Sequence, residues 1–221
     1  MKRSFFLLLF IVGSVTANVY AQQKPRYWDD VEVIKKYDQL YSPPRNPILF
    51  TGSSSIRKWN DLERTFSSYT VLNRGIGGAV INDIKFYLNP LILAYKPRQV
   101  VIYIGENDLP DTASTPDSIF NRTKALLLAI RDSLPGIPIV YISIKPSPVR
   151  EQYINKAIAS NELIRNFISS QTKMSFVDVF SRMLTKQGKT RPELFVDDML
   201  HMNEQGYRIW QKTIKPYLLK Q

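Results

Sequence analysis

The sequence predicts an α/β domain, a three-layer sandwich in which a five-stranded, mainly parallel sheet carries helices on both faces. Three observations predict it. Five short apolar runs of strand length recur along the chain, patterns of helical length and period lie between them, and polar clusters of Ser, Gly and Asn follow the first three runs. Successive strands joined through helices pair in parallel, and right-handed crossovers place those helices on either side of the sheet.

The chain of 221 residues opens with Met1-Lys2-Arg3, an apolar run from Phe5 to Val12, and small and polar residues ending at Val19-Tyr20-Ala21. This is the order of a secretory signal with cleavage after Ala21, and the apolar run is short for a bilayer span. An uncleaved membrane anchor is the alternative. The predicted organisation is a signal at 1–21 and one domain at 22–221, secreted or periplasmic, with no further run long enough for a stable membrane span. Trp28 to Leu40, with acids at its start and Val31, Ile34 and Leu40 spaced for one face, predicts a helix ended by Ser42-Pro43-Pro44. The apolar runs Ile48–Thr51, Thr70–Asn73, Gln99–Ile104, Ile139–Ile144 and Ser175–Asp178 predict buried parallel strands. Helical patterns occupy Asp117–Leu134, Glu151–Ser170 and Asn203–Leu219, with Asn203 as the N-cap of the last and Pro135-Gly136 stopping the first.

Composition narrows the chemistry. The chain has no cysteine, which excludes disulfides, a thiol nucleophile and Cys-ligated zinc. A formal charge of +11, or +9 once Lys2 and Arg3 are removed with the leader, favours anionic surroundings. No run of five like charges occurs, and the leader argues against a nucleic-acid partner. A generally basic solvated surface accounts for the excess.

The polar clusters all follow strands, and in open parallel sheets ligands bind beyond the strands' carboxyl ends. Gly52-Ser53-Ser54 follows the first strand, Asn73-Arg74-Gly75-Ile76-Gly77-Gly78 the second, and Gly105-Glu106-Asn107-Asp108 the third. A serine at a strand-to-helix turn exposes its hydroxyl where negative charge is favoured. Glycines let the backbone approach and aim an N–H at the rim, and an Asn adds a side-chain donor. Ser54 N–H, Gly78 N–H and Asn107 Nδ2 together would cradle an oxyanion. His201 is the single histidine and follows Asp197-Asp198-Met199-Leu200, so the chain offers one imidazole base and an adjacent acid. Lys145-Pro146-Ser147-Pro148, after the fourth strand, is expected at the same rim, and Lys145 or Arg74 is available to an anionic substrate, although a structural role suits each better.

In their order along the chain these blocks resemble the SGNH hydrolases, the GDSL-type esterases and lipases. The resemblance runs from about Ile48 to the C-terminal helix. It is closest to bacterial members that carry Gly-Ser-Ser-Ser-Ile-Arg-x-Trp, here Gly52-Ser53-Ser54-Ser55-Ile56-Arg57-Lys58-Trp59. The family's Gly-Asp-Ser block implies Ser54 as nucleophile, Asn-x-Gly-x-x-Gly implies Gly78 as a backbone oxyanion donor, Gly-x-Asn-Asp implies Asn107 as the side-chain donor, and Asp-x-x-His implies Asp198 and His201. Ser53 stands where the family has Asp, which implies altered support of the turn. Ser53 and Ser55 compete with Ser54 on residue type alone, and Asp197 competes with Asp198; an i, i+3 helical turn would favour the latter.

The implied fold is flavodoxin-like, and the implied activity is hydrolysis of carboxylic esters through an acyl-enzyme, with no metal or organic cofactor. Without a long apolar segment to serve as a lid, short acyl groups, above all acetyl, on carbohydrates or related small esters are expected. Lysophospholipids and aryl esters are the alternatives within the family. Outside it stand a phosphate-binding flavodoxin-like module built on Thr51–Ser55, and a glycan-binding pseudoenzyme. Oligomeric state is not specified by the sequence.

Overall fold

The computed structural model describes residues 24–220, so the leader expected at 1–21 lies outside the described residues. The chain runs α1 (Trp28–Leu40), β1 (Ile48–Gly52), α2 (Ser54–Arg57), α3 (Leu62–Thr65), β2 (Val71–Gly75), α4 (Ile81–Phe86), α5 (Leu88–Leu91), β3 (Gln99–Tyr103), α6 (Pro116–Ser133), β4 (Ile139–Ile142), α7 (Ile154–Ser169), β5 (Met174–Val177) and α8 (Glu204–Ile214). The strands lie in the order β2-β1-β3-β4-β5 and every pairing is parallel.

Alternate strand residues feed two cores. Leu49, Val100, Ile102, Ile139 and Tyr141 join residues of α1 and α4–α7 on one face. Phe50, Val101, Tyr103, Val140 and Ile142 join Ile56 of α2, Leu62 of α3, and Trp210 and Ile214 of α8 on the other. The period of two along each strand is what allows one sheet to bury both faces.

The long elements match their sequence patterns to within a few residues. α6 begins with a Thr115 cap that accepts from Ser118 N–H, and Asn203 caps α8 by accepting from the N–H groups of Gln205 and Gly206. Two helices are shorter than their patterns. Pro148–Tyr153 forms 3-10 turns ahead of α7, and Lys215–Tyr217 does the same after α8. Proline near the start of each stretch lacks the N–H for the regular ladder.

The sheet order puts β1 beside β3, and the connection after β1 runs to β2 on one side while that after β3 runs to β4 on the other, so the two diverge between these strands. This is the topological switch point at which such sheets open a crevice. Gly52 closes β1 there. Its φ is +127°, and a Cβ at this point would lie 1.8 Å from the carbonyl oxygen of Tyr103 on the adjoining strand. Behind the β3 loop, Asp108 accepts from Ile81 N–H at 3.2 Å and pairs with Arg122 at 3.5 Å, joining the loop to α4 and α6. Burial pushes the Asp108 carboxyl up to about 6, an effect that Arg122 and the Ile81 N–H only partly oppose.

Two predictions follow from these contacts. Gly52→Ala is expected to lose roughly 4 kcal/mol of stability or to fail to fold, because a backbone atom must move; urea denaturation measures it. Asp108 binds its proton more tightly folded than unfolded, so its contribution to stability is greatest at acid pH and falls as pH rises through about 4 to 6. Asp108→Asn should therefore gain on the parent by about 2–3 kcal/mol between pH 4 and pH 7 in urea titrations. A pH-independent difference would contradict this.

Candidate active site

The turn after β1 is fixed by its backbone. Ser53 N–H donates to Tyr103 O at 3.0 Å, and Ser53 O accepts from the N–H groups of Ile56 and Arg57. That pattern starts α2 at Ser54, whose own N–H has no partner within the helix. The three adjacent serines separate sharply. Ser53 and Ser55 are each 1% exposed, with hydroxyls enclosed and without a hydrogen-bond partner, whereas Ser54 is only partly buried and reaches the rim. At the position where the family block has Asp, the Ser53 side chain contributes no hydrogen bond, and the turn is supported by its main chain together with Asn73 Nδ2, which donates to Ile56 O at 2.7 Å, and Tyr207 Oη, which donates to Ser55 O.

His201 meets Ser54 across 147 residues of sequence, with Nε2 2.9 Å from Ser54 Oγ. Its Nδ1 lies 2.5 Å from Asp198 Oδ2. A carboxylate can only accept, so Nδ1 carries the ring proton, and Nε2 is left to accept from the serine hydroxyl. Asp198 Oδ1 also accepts from the N–H groups of Leu200 and His201 at 2.9 and 2.8 Å. Partial burial acts to raise the Asp198 carboxyl; the hydrogen bonds from the His201 ring, His201 N–H and Leu200 N–H outweigh it and hold the group well below the usual carboxylate range. Lys58 Nζ stands 3.1 Å from the same Nδ1, placing a positive charge beside the pair.

The segment that presents His201 is a closed loop and not the helical turn expected from the i, i+3 spacing. Phe195 and Met202 form an antiparallel bridge, Val196 N–H donates to His201 O at 2.9 Å, and Met199 adopts a left-handed φ of 53°. Asp198 and His201 meet because this loop doubles back, with Asp198 capping its backbone; Asp197 takes no part in the hydrogen bonds described.

The second and third clusters arrive at the same rim. Gly78 has φ +78°, and a Cβ there would meet Tyr27 Oη at 3.1 Å, so glycine suits both conformation and space. Asn107 Nδ2 donates to Ala79 O at 3.0 Å, which joins the β3 loop to the Gly78 loop.

Lys145 and Arg74 are not available to a substrate. Lys145 is 1% exposed, with Nζ 2.6 Å from Glu106 Oε1 and donating to Leu200 O at 2.7 Å. Ser147 Oγ and Tyr103 Oη donate to the same carboxylate at 2.9 and 2.8 Å. Desolvation lowers the Lys145 ammonium from its ordinary value, and Glu106 opposes that. Arg74 faces the other way, bonded to Asp38, Tyr95 Oη and Asn73 O. The Lys145–Pro148 segment reaches the rim as expected and Lys145 has the structural role; its partners Glu106 and Leu200, 39 and 55 residues away, carry no sequence signal that pairs them with it.

Within Thr51–Ser55 the side chains other than Ser54 are turned inward. Thr51 Oγ1 donates to Arg74 O, and the hydroxyls of Ser53 and Ser55 are enclosed. Among the described residues no group of His, Asp and Glu is arranged to hold a metal ion.

Comparison with known proteins accords with this geometry. A protein from Streptococcus pneumonia named as a platelet activating factor superposes with a TM-score of 0.75 at 24% identity, covering 86% of this chain and 92% of that one. A GDSL-like lipase from Bacteroides thetaiotaomicron gives 0.73 at 20% identity over 85% and 96%. An acetylxylan esterase from Geobacillus stearothermophilus gives 0.62 at 16% over 78% and 94%. No curated protein matches the sequence. At these identities the solved structures establish the shared fold, and the sequence itself matches the GDSL-like Lipase/Acylhydrolase family over residues 44–209. With three strand-end clusters and the single histidine loop inside that span, the chain belongs to the GDSL-like lipase/acylhydrolase family of carboxylic ester hydrolases.

Proposed function

We propose that the protein is a serine esterase in which Ser54 is the nucleophile, His201 the general base and acid, and Asp198 the acid that orients the imidazole. The observation that carries this reading is the unbroken chain from Ser54 Oγ to His201 Nε2 at 2.9 Å and from His201 Nδ1 to Asp198 at 2.5 Å.

Ser54 Oγ attacks the ester carbonyl while its proton passes to Nε2. The carbonyl oxygen, now negative, is met by Ser54 N–H, Gly78 N–H and the second N–H of Asn107 Nδ2. Collapse breaks the bond to the alcohol, which leaves with the proton from Nε2. Water then attacks the acyl carbon, gives a proton to Nε2, and the acid departs as Ser54 recovers its proton. The imidazolium formed at each stage is stabilised by the Asp198 carboxylate.

The substrate we propose is a short-acyl ester, above all acetyl, on a carbohydrate or similar small alcohol. Beyond the leader-like residues the sequence has no long apolar segment that could close as a lid over a long acyl chain. The shared fold with an acetylxylan esterase supports the same choice. The leader-like residues 1–21 and the basic surplus support action outside the cytoplasm on glycan material. Among the described residues no helix is long and apolar enough to cross a membrane.

Ser54→Ala and His201→Ala should each lower hydrolysis of p-nitrophenyl acetate by about 10⁴-fold or more in folded protein. Ser53→Ala and Ser55→Ala should leave a serine-phosphonate label on residue 54, as read by peptide mass spectrometry. On a p-nitrophenyl ester series, kcat/KM is expected to be highest for acetate and to fall as the chain lengthens. A rise toward octanoate would replace the acetyl reading with a lipid one.

A further inference from the structure

Arg150 lies beside the oxyanion amide with no role in the reaction as described above. It occupies a non-helical kink (φ −113°, ψ 17°) in the 3-10 segment after β4, and its Nη2 is 3.2 Å from Asn107 Oδ1, 43 residues away in sequence. Its Nε and Nη1 are enclosed by protein and meet no acceptor among the described residues. The acid on the same loop as Asn107, Glu106, is already committed to Lys145, Ser147 and Tyr103. A guanidinium is expensive to enclose without a counter-charge, so its placement calls for a reason other than stability.

The chemistry of Asn107 supplies one. A guanidinium has only donors, so the group facing it must be the amide oxygen. Ala79 O has only lone pairs, so the group facing it must be the amide nitrogen. With Oδ1 held by Arg150 and one N–H held by Ala79, the flip of the amide is determined and the second N–H is the only one left for the rim. A positive donor on Oδ1 also polarises the amide and strengthens its remaining N–H as a donor. Because two of the three guanidinium nitrogens are closed off, direct contact with substrate is the weaker use of the group.

We propose that Arg150 is a positioning residue for the oxyanion amide, holding Asn107 Oδ1 so that the free Nδ2–H points to the reacting carbonyl oxygen. This rests on the assignment of Asn107 as an oxyanion donor.

The test is a double-mutant cycle with p-nitrophenyl acetate. Arg150→Met should lower kcat by about 10- to 100-fold while KM stays within about twofold, and Arg150→Lys should recover part of the loss. Arg150→Gln serves in the same cycle if the Met variant does not fold. In an Asn107→Ala background, itself slowed by about 10²–10³, the Arg150 substitution should cost less than about twofold more. An undiminished loss in that background, or a raised KM at unchanged kcat, would overturn the proposal while leaving Asn107 as a donor. Full activity of Asn107→Ala alone would overturn both.

Discussion

The ammonium of Lys145 is where three of the rim's loops, those after β3 and β4 and the one that carries His201, are tied together. It sits under the rim between Glu106, on the loop that carries Asn107, and Leu200 O, on the loop that carries His201. Ser147, two residues further on, bonds the same carboxylate, so the loop after β4 is drawn in as well. Burying both charges costs several kcal/mol in desolvation that their attraction only partly returns, so the pair is a poor source of net stability. Losing one partner is a different matter, since it leaves the other charge uncompensated in the interior, at a cost of about 3–5 kcal/mol. The ion pair thus holds geometry more than it stabilises the fold.

On that base, small differences in burial separate residues of the same type. Three consecutive serines follow Gly52, yet two of their hydroxyls are enclosed and only Ser54 opens to the imidazole. Two consecutive aspartates precede Met199, yet only Asp198 is positioned by N–H groups of Leu200 and His201 to face the ring. The left-handed Met199 is what turns the chain back so that both contacts form at once.

Much of this was legible beforehand, and for identifiable reasons. β1, β3 and β4 show as continuous apolar runs because both their faces are buried, the long helices α1, α6 and α7 have enough residues for a period to show, and polar clusters, Pro or Thr near several of the ends act locally. The helices α2 to α5 have four to six residues each, too few for a periodic face, and only the position of the first was implied, by the serine turn. At the rim, Ser54, Gly78, Asn107, Asp198 and His201 were singled out through their blocks. Lys145 was placed at the rim in a structural role, but its pairing with Glu106 and Leu200 O, and the contact of Arg150 with Asn107, were not legible because these partners are distant in sequence. The local form of the histidine loop was also misread, since Asp-x-x-His spacing fits a helical turn and a closed loop equally well.

The two cores divide the rim. Ser54 begins α2, and Tyr207 of α8, the helix that follows the histidine loop, donates to Ser55 O at 3.0 Å. Serine and imidazole therefore rest on the aromatic cluster of Trp59, Tyr207 and Trp210 on one side of the sheet. The Gly78 and Asn107 loops lead instead into α4 and, through Asp108 and Arg122, into α6 on the opposite side. Substitutions in separate packing layers with no shared partners combine nearly additively. The layered plan thus confines the coupling between the serine–imidazole side and the Gly78–Asn107 side to the junction of Lys145, Glu106 and Leu200 O, and repacking either core away from that junction leaves the other side nearly unchanged.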